Sequence, residues 1–312
     1  MTSDLVQSRA AQTLLDKVSG VLQEGGDPRV KQIVRRIVSD LYTVIDEFDV
    51  SPDEFWLTLG FLQNGAPEFG LIAPGLGFDH FLDMRMDEQD RRRGIETGTP
   101  RTIEGPLYVP GAPLAQGFAR LDDGSDTGEV LVMHGCVRDA AGQPVADAVV
   151  DVWHANTLGN YSHFDTSQTP YNNRRRIRSG ADGRYKFQSI VPSGYAVPPQ
   201  GTTERLLGCI GRHGQRPAHI HFFVSAPGCR LLTTQINIDG DPYLHDDFAL
   251  ATRDGLIPAI VRHDDPESMQ AEGLNTPYSE IEFDFTLTAS VDPGDTGLHA
   301  RPRVPALESA AA

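Results

Sequence analysis

Cysteine is scarce in this chain. Three residues in 312, Cys136, Cys209 and Cys229, are widely spaced and odd in number. The count argues against a disulfide framework, and the absence of any C-x-x-C spacing excludes the common zinc and dithiol motifs. Reduced thiols and a cytoplasmic location are expected. No apolar run approaches the ~18 residues of a membrane helix. Residues 1–20 carry Asp4, Arg9, Asp16 and Lys17 and are not expected to be a signal peptide. Positive charge is also short: 27 Lys and Arg stand against 43 Asp and Glu, a net charge of −16. Nucleic acid and anionic membrane surfaces would repel such a protein and are not expected partners. No internal repeat is present. What remains is an ordinary globular composition, 39% hydrophobic and 22% charged, long enough for about two domains at ~150 residues each.

The first hundred residues read mostly as helices. One stripe runs through Leu14, Leu15, Val18, Val21 and Leu22 and is expected to end near Gly25-Gly26. Asp27-Pro28 places an N-cap before a proline at the first helical position. After it, Val30, Ile33, Val34, Ile37, Val38, Leu41, Val44 and Ile45 repeat at helical spacing, an amphipathic helix of about five turns. Ser51-Pro52-Asp53-Glu54 is a capping box opening a third helix through Phe55, Trp56, Leu59 and Leu62. Residues 69–93 look partly helical, with Gly75 and Gly77 interrupting.

From about Thr97 the texture changes to short β-rich runs between Gly, Pro and Asp clusters. These are Glu129–Val137, Val145–Val152, Tyr185–Val191, His219–Ser225, Leu231–Ile238 and Ile281–Thr288. Many short strands with polar punctuation indicate a sandwich or barrel. The expected class is α+β: a helical region over 1–96, a mixed-topology β-sandwich over 97–291, and a poorly ordered tail over 292–312.

The most informative stretch is Arg216-Pro217-Ala218-His219-Ile220-His221-Phe222-Phe223-Val224. On a strand, residues i and i+2 share a face, so His219 and His221 can aim at one metal ion. Two imidazoles on the inner face of an apolar strand need partners there, and a hydrogen-bonded core pair fits as well. Trp153-His154-Ala155-Asn156-Thr157-Leu158-Gly159-Asn160-Tyr161 and Ile190-Val191-Pro192-Ser193-Gly194-Tyr195 each place a tyrosine after a strand-like run and a glycine. Phenolate is a hard anionic donor that favours Fe(III), and imidazole suits iron as well as zinc or copper. A 2-His-1-carboxylate ferrous site is the competing design, but no acid adjoins the H-x-H, and Asp165 or Asp239 could join only through folding.

Together these segments resemble the intradiol ring-cleaving dioxygenases, through W-H-A-N-T-x-G-x-Y-S-x-F-D, I-V-P-x-G-Y, R-P-A-H-I-H-F and L-T-T-Q-I, over nearly the whole chain. The resemblance implies a non-haem Fe(III) held by Tyr161, Tyr195, His219 and His221. It implies insertion of both atoms of O2 between the two hydroxylated carbons of an aromatic diol. Tyr195 is then the ligand that leaves and takes a substrate proton, while Tyr161 and His219 stay. Arg216 would stand over the ring with a fixed positive charge, entering at a bend that Pro217 makes; a surface ion pair is its bland reading. Gln235 matches a position near iron, and otherwise reads as a hydrogen-bonding strand residue.

Leu71, Pro74, Ile103, Pro106, Leu107, Phe248 and Ala249 match the family's substrate pocket, though each also suits ordinary core packing. As a set they look more like the catechol-cleaving branch, giving cis,cis-muconate, than the hydroxyquinol or chlorocatechol 1,2-cleaving ones. The resemblance further implies a homodimer built through the helical region, with a lipid tail held between its helices. A non-catalytic β-sandwich binding module, with a structural metal or none, is the reading from another class.

Overall fold

Local signals set the helices. The first, α1 (Arg9–Val18), is capped by the Ser8 side chain, and left-handed Gly20 closes it, so it stops short of the glycine pair at 25–26. Asp27 then opens α2 (Pro28–Glu47) by accepting from the backbone N–H groups of Arg29 and Val30 at 2.7 and 3.2 Å. This helix buries none of its residues: Val30, Ile33, Ile37, Leu41 and Val44 are all exposed. Ser51 and Glu54 cap each other's backbone at the start of α3 (Pro52–Gly65). These three helices form one compact unit, Met1–Ala66. This computed structural model describes residues 5–292, 294, 296, 297 and 303.

The second unit, Pro67–Ala312, begins with two more helices. They are α4 (Phe69–Gly75) and α5 (Phe78–Arg92), parted by Leu76 and left-handed Gly77. The division between units therefore falls ahead of the change in texture near Thr97. Strands β1 (Leu114–Gln116), β2 (Phe118–Arg120), β3 (Val130–Asp139) and β4 (Val149–His154) follow, then β5 (Arg174–Arg178), β6 (Arg184–Ile190) and β7 (Tyr195–Ala196). After them come α6 (Thr202–Cys209), β8 (Gln215–Arg216), β9 (His219–Ser225), β10 (Leu232–Asn237), β11 (Val261–His263), α7 (Pro266–Ala271), β12 (Tyr278–Glu282) and β13 (Phe285–Leu287).

One sheet has the order β1-β5-β4-β9-β10; the other runs β11-β12-β3-β6-β2, with β13 also on β3. Parallel and antiparallel pairs mix in both. The fold is thus α+β with a mixed-topology β-sandwich. The expected strand 281–288 is two strands, interrupted at Phe283 and Asp284, where glycine at 135 leaves room for the Phe283 carbonyl. Asp284 there accepts from the Cys136 N–H at 2.7 Å.

The sandwich core joins Val150, Val152, Ile220, Phe222, Val224 and Ile236 of one sheet with Leu131, Met133, Phe187, Ile281 and Phe285 of the other. On β9 the even residues therefore face the core, and alternation turns His219, His221 and Phe223 to the opposite face. The histidines do not share the inner face expected for them; they lie on the outer face of a central strand, under the loops that carry Tyr108 and Tyr161. No helix among the described residues is long and apolar enough to cross a membrane. The tail expected over 292–312 lies mostly outside the described residues. Arg303, which is described, pairs with both oxygens of Glu104 at 2.7 and 2.8 Å.

Candidate active site

On that outer face His219 Nε2 and His221 Nε2 stand 3.1 Å apart, and Tyr161 Oη lies 3.4 Å from His219 Nε2. The Tyr195 ring meets Tyr161 edge-on at 5.6 Å and approaches the His219 ring at 5.5 Å. His219 Nδ1 donates to the Pro217 carbonyl at 2.6 Å, which leaves the Nε2 lone pair directed at the cluster. The His221 ring stacks on Trp153, 5.0 Å away and 6° from parallel, and its Nδ1 is buried without a hydrogen bond. An ordinary hydrogen-bonded core pair would satisfy that nitrogen. Donors bound at about 2.0–2.1 Å to one ion stand roughly 3 Å apart, so these separations fit a single small cation.

Burial drives the His219 imidazole down to about 3 and His221 well below its ordinary value. Both rings are therefore neutral, the form that ligates metal. Burial, with Tyr195 beside it, pushes the Tyr161 phenol well above its usual value. It ionises only if a cation arrives to invert that balance. Two neutral imidazoles and two phenols make a donor set that fits a hard, highly charged ion such as Fe(III). Among the described residues no three of His, Cys, Asp and Glu are placed to hold a metal. Asp165 instead accepts from Ser167 and Gln168.

The loops that deliver the tyrosines are shaped by short-range bonds. Asn156 Oδ1 accepts from the N–H groups of Leu158 and Asn160 at 3.0 and 2.9 Å, winding the turn before Tyr161. Gly159 has φ +78°, and a Cβ there would lie 2.8 Å from Tyr195 Cβ, so glycine lets the two tyrosine loops touch. Gly194 does the same for the next layer: a Cβ would lie 2.5 Å from the Arg216 carbonyl oxygen. Tyr195 pairs with Arg216 across β7 and β8. Pro217 and Ala218 separate β8, which pairs with β7, from β9 in the five-stranded sheet, so Arg216 does not share the alternation of β9.

Arg216 is 3% exposed and is no surface ion pair. Its Nε and Nη2 reach the two oxygens of Asp247 at 3.2 and 3.1 Å, and Nη2 donates to Gln235 Oε1 at 2.8 Å. Nη1 lies 2.9 Å from His219 Nε2. Burial opposes both charges, yet Arg216 beside it holds Asp247 below its ordinary value, and Asp247 raises Arg216. Gln235 is fully buried opposite His221 in the β9–β10 register.

A cavity of about 270 Å³ opens beside this cluster, at the small end of ligand pockets. Leu71, Pro74, Ile103, Pro106, Leu107, Phe248 and Ala249 all line it, with Tyr161, Tyr195 and Arg216. His219, His221 and Gln235 do not. Val197, Pro198 and Phe164, which the sequence did not single out, add to a mostly apolar wall whose polar part includes Asn160 and Asp165.

Residues 103–289 match the family described as "Dioxygenase", and residues 27–94 match "Catechol dioxygenase N terminus". The chain belongs to the intradiol ring-cleavage dioxygenases. It is 61% identical to catechol 1,2-dioxygenase 2 of Acinetobacter lwoffii, over 82% of this chain and 94% of that protein. The solved structure of catechol 1,2-dioxygenase from Acinetobacter sp. ADP1 inhibited by bound mercury superposes with a TM-score of 0.92 at 52% identity, covering 96% of this chain and 98% of that one. Hydroxyquinol 1,2-dioxygenase of Nocardioides simplex is more distant, 30% identical over 90% of this chain and 96% of its own. In this dioxygenase the sequence reading missed Asp247, Trp153 and the Pro217 carbonyl. Asp247 directly precedes the pocket residues Phe248 and Ala249, which was the available signal. Nothing in the sequence announced that Trp153 would stack on His221; they are cross-strand neighbours.

Proposed function

We propose that this dioxygenase is a catechol 1,2-dioxygenase that cleaves catechol with O2 to cis,cis-muconate at a non-haem Fe(III). The observation that carries the reading is the meeting of His219, His221 and Tyr161 donors within 3.1–3.4 Å beside a small, mostly apolar cavity that Tyr161 lines. Tyr161, Tyr195, His219 and His221 would hold the ion, which when bound would supply Lewis-acid chemistry to the diol. Tyr195 is the residue that moves: it is half-buried on a two-residue strand, whereas Tyr161 is 3% exposed. Its phenolate oxygen accepts a proton from the diol as the substrate enters. Arg216 supplies a positive charge at the cavity wall where negative charge grows on the ring, and Asp247 and Gln235 hold its fork in place. The apolar wall excludes water from the reacting ring.

We propose roles for the rest of the chain as well. Residues 1–96 serve as the dimerisation region and hold a lipid tail between helices; the exposed apolar stripe of α2 supports this. Residues 97–291 form the catalytic domain. Three unpaired cysteines support a cytoplasmic location.

Oxygen uptake with product analysis tests the assignment. Catechol should consume one O2 per molecule and yield cis,cis-muconate. Preferred turnover of hydroxyquinol or chlorocatechol would move the enzyme to another branch, and no turnover of any diol would overturn the reading.

A further inference from the structure

Two polar clamps join helix α4 to the wall of the cavity, and neither clamp belongs to the machinery described above. Helix α4 is two turns long and carries Leu71 and Pro74 into the lining. A helix that short does not hold its own position in water. At its start Glu68 reaches the N-terminus of α6, which has no cap of its own. Glu68 accepts from Thr202 N–H at 3.0 Å, Thr203 N–H at 2.8 Å and Thr203 Oγ1 at 2.7 Å. Gly201 leaves the room: a Cβ there would lie 2.8 Å from the carboxylate.

At the other end Arg212, just past α6, donates through Nη1 to the Gly75 carbonyl at 2.5 Å and through Nη2 to the Phe248 carbonyl at 3.0 Å. Gly75 is the last residue of α4, so its carbonyl is one of those a helix leaves unpaired. One guanidinium thus ties the end of α4 to the loop carrying Phe248 and Ala249. The Phe248 ring lies 3.5 Å from where a Gly75 side chain would begin, so the two walls already touch. The remaining apolar wall, Ile103, Val197, Phe248 and Ala249, packs with Leu207 of α6 in one buried cluster. That wall is fixed by packing, and α4 is fixed to it by Glu68 and Arg212.

We propose that Glu68 and Arg212 are positioning residues that set the width of the ring slot, and with it the enzyme's discrimination against diols bearing ring substituents. The proposal rests on the diol-cleaving assignment. Loosening either clamp lets α4 move outward and make room for a methyl group without altering the groups that act on the two hydroxyls.

The test compares kcat and KM for catechol, 3-methylcatechol and 4-methylcatechol in iron-replete wild type, Arg212→Ala, Arg212→Lys and Glu68→Gln, with melting curves for each. The ratio of kcat/KM for methylated over unsubstituted diol should rise roughly tenfold in Arg212→Ala, the low end of what one methylene commands in an apolar pocket. Glu68→Gln should raise it less, and Arg212→Lys, which can meet only one carbonyl, should fall between wild type and Arg212→Ala. Equal loss on all three diols, with the ratio unchanged, would mean a merely structural role and overturn the proposal. If Arg212→Ala does not fold, an unchanged ratio in Arg212→Lys and Glu68→Gln overturns it equally. A wild type that cleaves none of the three diols would instead sink the assignment beneath it.

Discussion

Arg216 is a buried cation whose partners define what it does. Asp247 neutralises it, Gln235 orients it, and its remaining edge faces His219 and the cavity. Arg216→Ala therefore removes two things at once. It strands Asp247 as a buried, unpaired charge, a loss of about 3–5 kcal/mol of stability, so the melting temperature should fall. It also removes a charge-assisted contact worth about 1.5–3 kcal/mol, which lowers kcat by about one to two decades. Steady-state kinetics well below the melting transition, on protein with iron content matched to wild type, separates the two effects. Wild-type kcat in that variant would rule out a role for Arg216 in turnover. At this scale the sequence was informative about types and poor about neighbours. His219, His221 and the two tyrosines are visible as a pattern, whereas Asp247 and Trp153 join the site only through pairings that folding creates.

Short elements deliver the site, and they explain where sequence reading stopped. Strand β9 was readable to its ends because His219–Ser225 is continuous and β-rich, and the caps at Asp27 and Ser51 act within three residues of themselves. Strands β7 and β8 have two residues each, too few for any period to register. Strand β5 reads Arg-Arg-Arg-Ile-Arg and looks like surface, yet Arg174 is buried with its guanidinium on Ser162. Alternation placed His219 and His221 on one face, but which face depends on the second sheet, so the expected inner position was inverted. The β7–β8 pair yields a sharp test. A Cβ at Gly194 would meet the Arg216 carbonyl oxygen at 2.5 Å, so Gly194→Ala must open the pair that carries Tyr195 and Arg216. Overpacking of this kind costs about 1–3 kcal/mol, and turnover should fall more than tenfold alongside the melting temperature. Normal kcat at an unchanged melting temperature would contradict this account of the glycine.

The whole molecule has an α2 helix with no buried residue, and apolar side chains at Val30, Ile33, Ile37, Leu41 and Val44 left to solvent. Exposed apolar surface of that extent marks an interaction face. Sedimentation at micromolar concentration should give a particle of twice 34.1 kDa, and a 34.1 kDa species would count against the dimer. The change of texture near Thr97 separated the first five helices from the strands, but gave no sign of α6 and α7 among them. Nor could it show that α4 and α5 group with the strands, because that depends on contacts such as Glu68 with α6. The central proposal is that Tyr161, Tyr195, His219 and His221 hold a ferric ion at which a diol would bind. The visible spectrum of the purified protein, recorded without oxygen before and after adding catechol, tests it most directly. A red to purple protein whose band shifts on adding catechol is the predicted result, since tyrosinate-to-iron charge transfer is coloured and would change with a diol in the site. A colourless protein carrying stoichiometric zinc would contradict it.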